Sequence, residues 1–207
     1  MAIRSIAAAS FGAALLCTAP AAAFDPFEIQ IYDGTADPKG SPGLEIHLNQ
    51  HHDRWRMTFE PSYGITSFWE VGGYFQTEDG KYAGVKLRTK IIAPEGGHLR
   101  LGINFELSRV PAEGWGGEIR PIIAWEDERF IFAANPSVSF PASFEPGGMA
   151  KVKVGPVALG LEYYASVPHE QYLLAAADLI ALKNLELNVA IGDGSARIAK
   201  MIVGYVF

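Results

Sequence analysis

The sequence predicts an all-β fold, a transmembrane antiparallel up-and-down β-barrel of about twelve strands, and three observations carry that prediction. From Gly43 onward, window after window alternates in twos between an apolar face and a polar or small one. After the first two dozen residues no apolar run reaches the roughly 18 residues that a membrane-spanning helix requires, although 49% of the 207 residues are hydrophobic and 12% aromatic. The polar faces carry fixed charges of both signs, which hydrocarbon admits only on the inside of a closed sheet.

The opening stretch MAIRSIAAASFGAALLCTAPAAAFDPF reads as a secretory signal peptide over residues 1–23. Arg4 supplies the positive flank, residues 5–16 form an apolar run too short to cross a bilayer, and the alanines at 21–23 offer small side chains for cleavage. A lipoprotein signal on Cys17 fits poorly, because Leu16 is bulky where a small residue is wanted. Cleavage after Ala23 leaves 184 residues with no cysteine, hence no disulfide to hold an exported domain together. Without Arg4 the chain has 16 basic and 23 acidic residues, a net charge of −7, which argues against a nucleic-acid partner. Residues 24–42, FDPFEIQIYDGTADPKGSP, end in a turn-rich run. This segment could plug the barrel, pair as an extra strand or lie in the periplasm, and the barrel proper spans 43–207.

The strands follow in order. GLEIHLNQ sets Leu44, Ile46 and Leu48 against Glu45, His47 and Asn49. RWRMTFE sets Trp55, Met57 and Phe59 against Arg54, Arg56, Thr58 and Glu60. FWEVGGYFQ and YAGVKLRTKI behave alike, and HLRLGINFELS is the clearest, with Leu99, Leu101, Ile103, Phe105 and Leu107 opposite Arg100, Gly102, Asn104, Glu106 and Ser108. EIRPIIAWE, RFIFAAN, MAKVKV, VALGLEYYA, QYLLAAADLI, LELNVAIG and KMIVGYVF complete twelve. The tenth, near 171–180, alternates poorly and fits a short helix or a mostly apolar strand. Alternate connections are short (PSYGIT, APEGG, ED, GP, KN), while those on the other side, NPSVSFPASFEPGG above all, read as longer loops. Short periplasmic turns and longer outer loops are the pattern of outer-membrane barrels.

With the apolar face toward lipid, the opposite face lines a lumen. Its candidates are Arg54, Arg56, Lys86, Arg88, Lys90, Arg100, Glu106, Glu118, Arg120, Arg129, Lys151 and Lys153, with Lys86, Arg88, Lys90 and Arg100 as a selectivity stripe for anionic or aromatic solutes. On the outer face Phe59, Trp69, Trp125 and Phe130 fall toward the short-turn end, and Trp55, Phe75 and Tyr163 toward the other, as two aromatic girdles. Met201, Val203, Tyr205 and Phe207 match the apolar alternation, ending in Phe, by which the terminal strand of bacterial outer-membrane barrels is recognised by the β-barrel assembly machinery.

The stretches FEIQIYDG, GLEIHLN, YAGVKLR, HLRLGINFELS, EIRPIIAWEDERF, GPVALGLEYYAS and KMIVGYVF resemble a group of Gram-negative outer-membrane barrels near the MetA-like barrels of phenol-degradation clusters. The resemblance covers most of residues 24–207, implies a transporter, and brings no catalytic residues with it.

These readings make the chain a Gram-negative outer-membrane protein, exported with a cleaved signal and passed by periplasmic chaperones to the assembly machinery. It would sit among outer-membrane lipids and lipopolysaccharide as a narrow channel for passive passage of small solutes. A plugged structural barrel and a lipid-modifying enzyme are the alternatives. No G-x-S-x-G is present and His169 has no evident serine partner, so the expectation is no enzyme. His47, His51, His52 and Asp53 lack tight ligand spacing, so neither metal nor other cofactor is expected.

Overall fold

The computed structural model describes residues 27–207 except 95–96, 112–113, 141–142 and 183. The signal-peptide reading of 1–23 lies outside the described residues. Among those described, twelve strands follow one another: β1 (Pro42–His51), β2 (Arg54–Gly64), β3 (Trp69–Glu78), β4 (Lys81–Ile92), β5 (Leu99–Val110), β6 (Gly114–Glu126), β7 (Phe130–Phe140), β8 (Ser143–Val154), β9 (Val157–Ser166), β10 (Glu170–Leu179), β11 (Leu185–Gly194) and β12 (Ile198–Val206). Each pairs antiparallel with its sequence neighbours, and β12 pairs with β1 from Gly43↔Val206 to His51↔Ile198, so the sheet closes. The polar backbone of both end strands is thereby satisfied without water.

The faces point as the alternation requires. On β5, Leu101 is 45% exposed and Leu107 51%, whereas Asn104 is 0% and Glu106 7% exposed. A soluble barrel would reverse these values, because it would put Leu inside and Glu outside. The region near 171–180 is strand β10, with Tyr172, Leu174 and Ala176 buried inward. Its weak alternation arises because both faces are apolar.

The rims differ from the sequence reading. At the rim opposite the two ends of the barrel, every connection is two or three residues, whereas the other rim has connections of up to six. Among the described residues, none of the long polar loops expected there is present. His52 and Asp53 (φ 48° and 60°) and Asp79 and Gly80 (φ 48° and 75°) form two-residue hairpin turns with positive φ throughout, the geometry that suits the twist of antiparallel strands. The supposed loop NPSVSFPASFEPGG is the paired upper half of β7 and β8, with Val138↔Phe144 and Ser139↔Ser143 in register. Its prolines misled because Pro136 and Pro146 face each other, where neither needs to donate to the other strand. The β6–β7 ladder is likewise interrupted beside Pro136, between Ile119↔Val138 and Ile123↔Ala134.

The outer face carries the expected aromatics. Trp55, Phe59, Trp69, Phe75, Phe130 and Tyr163 are all exposed, and Trp125 is half-buried against Phe132, ring centroids 5.8 Å apart. One assignment needs correcting: Phe59 and Phe75 are direct register partners, so they share one depth and cannot belong to opposite girdles. Met201, Tyr205 and Phe207 also face outward, and the Phe207 N–H donates to Pro42 O at 2.9 Å across the closing seam. Inside, Gly160 lets neighbouring strands approach, since a Cβ there would stand 2.0 Å from Ala150 O.

A charge on the outer face tests this orientation. Phe105 lies near the middle of β5 and is 38% exposed. Phe105→Arg is expected to destabilise the barrel in lipid vesicles by about 2–4 kcal/mol, the cost of Arg at the bilayer midplane. Urea unfolding followed by tryptophan fluorescence reads it, and an unchanged midpoint would contradict a lipid-facing β5.

Candidate functional site: the filled lumen

The lumen is occupied by the chain itself. Residues 27–33 carry no strand, yet Glu28, Ile29, Ile31 and Tyr32 are buried, and their partners come from around the wall. Asn49 Nδ2 on β1 donates to Phe27 O at 3.0 Å, and Lys200 Nζ on β12 to Ile29 O at 2.8 Å. Asn135 on β7 clasps Tyr32 at both ends of its peptide, accepting from the N–H at 2.7 Å and donating to the carbonyl at 3.2 Å. Because the segment is unpaired with any sheet edge, wall side chains satisfy its backbone.

Sequence reasoning saw the charged wall but not its apolar half. Tyr164, Tyr172, Leu174, Ala176 and Ile198 pack around Ile29 and Ile31, while Ile92 and Ile122 pack around Tyr32. The signal was present in the weak alternation of β10 and in the motif EIQIY, whose hydrophobes need a dry surface. Gly147 leaves room for this insertion, since a Cβ there would meet Ile31 Cδ1 at 2.6 Å.

The candidate lumen residues gather into three ion-pair networks. In the first, Arg88 reaches Glu60 and Glu70, both at 2.5 Å, and Lys90 reaches Glu70 at 3.3 Å. In the second, Lys86 bridges Glu106 at 3.0 Å and Glu28 at 3.1 Å, while Arg120 bridges Glu118 at 2.5 Å and Glu28 at 2.8 Å. In the third, Lys151 pairs with Glu162 and Asp178, both at 2.7 Å, and Lys200 pairs with Glu162 at 2.5 Å. The Lys86, Arg88, Lys90 ladder is thus a row of paired cations, not a stripe of open charge.

The rim residues stand apart. Arg56 bonds Glu78 at 2.8 Å, and Arg54 meets the same carboxylate from an exposed position. Arg100 pairs with Glu126 at 2.7 Å, and Lys153 also reaches Glu126. Arg129 is an exposed turn residue and does not line the lumen. Its N–H and that of Phe130 donate to Asp127, holding that carboxyl below the usual range. Burial instead raises the carboxyl of Asp37, which accepts from Ser62 Oγ at 2.5 Å.

Among the described residues, Glu45, His47 and Glu60 bring potential metal ligands within 4.8 Å of one another. His47 Nε2 lies 3.1 Å from Glu45 and 3.2 Å from Glu60, and Glu60 also holds Arg88. Arg88 already brings positive charge to Glu60. His51 bonds Tyr172 OH at 2.7 Å, away from that trio's ligand atoms. His169 is exposed in the β9–β10 turn, whereas Ser166 is fully buried and hydrogen-bonded to Ser143.

No protein-family model and no curated protein matches the sequence. Solved structures match in fold. The KdgM porin superposes with a TM-score of 0.63 at 12% identity, covering 80% of this chain and 99% of its own. An outer membrane channel from Pseudomonas putida F1 gives 0.57 at 12% identity, covering 87% and 100%, and the NanC porin gives 0.58 at 6%, covering 80% and 98%. At such identities the likeness is one of architecture, that of an outer-membrane barrel, which this chain builds from twelve strands.

The network around Glu162 makes the paired-charge account testable. Glu162→Ala leaves Lys151 with Asp178 alone and takes from Lys200 its carboxylate. Loss of about 3–5 kcal/mol of stability is expected, the usual cost of leaving a buried charge uncompensated. Equilibrium unfolding measures it, and Lys200→Met added to Glu162→Ala should recover part of the loss.

Proposed function

We propose that the protein is an outer-membrane channel for small solutes, shut in this conformation by its own residues 27–33. The observation that carries this reading is the way the segment is held. Its bonds run to wall side chains and its carbonyls to lysine, asparagine and tyrosine, so the barrel ladder is complete without it. Withdrawing it breaks no strand pairing.

The porin and channel architecture of the solved neighbours supports passage over a purely structural role, as does the polar wall that withdrawal would expose. A small cavity of about 30 Å³, room for a water or two, lies beside the segment, lined in part by Gln30, Arg120, Asn135, Ser137 and Tyr164. In this reading the apolar belt meets outer-membrane lipid and lipopolysaccharide, and chaperones and assembly machinery deliver the chain.

Planar-bilayer recording tests the proposal. The wild type should be closed most of the time, with rare discrete openings. Glu28→Gln with Tyr32→Ala, which loosens the segment, should raise open probability several-fold. In that background Lys86→Glu should move the reversal potential toward cation preference. Silence of both proteins, with heat-modifiable migration showing the barrel intact, would refute the channel.

A further inference from the structure

The segment filling the lumen does more than occupy space, because two of its side chains sit in a cradle built by the wall. The Glu28 carboxylate receives Arg120 Nη1 on one oxygen at 2.8 Å and Lys86 Nζ on the other at 3.1 Å, and Tyr74 OH donates to it at 3.3 Å. These three donors come from β6, β4 and β3 and converge on one point. Next to them the Tyr32 ring lies 5.1 Å from Lys90 Nζ and 5.0 Å from the Arg120 guanidinium carbon. Ile92 and Ile122, 5% and 1% exposed, pack against the same ring. Cations over an aromatic face and aliphatic side chains beside it make a slot for a flat ring.

We propose that Lys86, Arg120, Tyr74 and Lys90, with Ile92 and Ile122, form a binding site for an aromatic carboxylate, which Glu28 and Tyr32 fill as an internal stand-in. The charge balance favours an acid over a neutral ring. Lys86 and Arg120 each keep a wall counter-ion, Glu106 and Glu118, when Glu28 leaves. Exchanging one carboxylate for another therefore leaves the interior charge as it was, whereas a neutral arene would take the slot without replacing the bonds Glu28 made. A simple aliphatic acid would satisfy the donors but leave the Ile92, Ile122 slot unfilled. The solute and the plug compete for one place, so binding and opening are the same exchange.

The site rests on the channel reading for access, but its occupancy can be measured without conduction. Titration calorimetry on the full-length mature protein in detergent, with 3-phenylpropionate as probe and phenol and propionate as controls, reads it. The wild type should bind the probe weakly, since Glu28 competes. Glu28→Ala should bind it at least tenfold more tightly, and at least tenfold more tightly than either control. Adding Lys86→Gln should abolish the preference for the acid over phenol. Tyr32→Ala provides a second way of emptying the slot, should Glu28→Ala fail to fold, and should likewise tighten probe binding. Equal affinity for the three probes, or no gain in either folded variant, would overturn the site. Binding without bilayer conductance would refute the channel and keep the site; conductance without binding would do the reverse.

Discussion

A sheet surrounded by hydrocarbon has nowhere to put a charge except its inside, and once there the charge must find a partner. That constraint orders this molecule. Closure between β1 and β12 removes the last unpaired edge, and the alternation of each strand then sends Arg88, Glu60 and Glu70 inward together. Buried at 1–2% side-chain exposure, such groups are tolerable only as a network. The rows of opposite charge on neighbouring strands are thus less a design for solute than a condition for the barrel to exist.

The amino-terminal segment answers the same constraint in a second way. Twelve strands enclose more space than wall side chains alone fill, and a water-filled gap beside Leu174 and Ile198 would expose apolar surface. Ile29 and Ile31 close that gap, and Tyr32 covers Ile92 and Ile122. Glu28 does the reverse on the charged side, where Lys86 and Arg120 converge. One short stretch, EIQIY, therefore matches a wall that is ionic on one side and oily on the other.

How much of this was legible in the sequence depends on which rule a residue obeys. Period two fixes which way Leu101 and Glu106 point, and it did so for every strand with contrasting faces. It carries no information on depth, which is why Phe59 and Phe75 were placed at opposite ends although they are register partners. Nor can it see a lumen whose inward residues are themselves apolar, as on β10. Composition misjudged the rims: Pro136 and Pro146 look like loop residues until the register shows them facing each other. The two-residue Asp79-Gly80 turn falls within TEDGK, one of the connections expected to be longer, although Asp-Gly is itself a tight-hairpin signal. The inward fold of residues 27–33 was one of three open alternatives, because EIQIY and the weak alternation of β10 each mark apolar surface without showing that the two meet.

The shortness of the caps at the rim away from the barrel's ends has a consequence for how such a protein can diversify. With two or three residues per hairpin, no loop among the described residues at that rim is long enough to dip inward and narrow the bore. Constriction from that side must come from wall side chains or from chain already threaded through the lumen. A lineage could thus retune what passes by editing a handful of positions ahead of β1, leaving the staves of the barrel untouched, much as a lock is rekeyed by changing the cylinder and not the door.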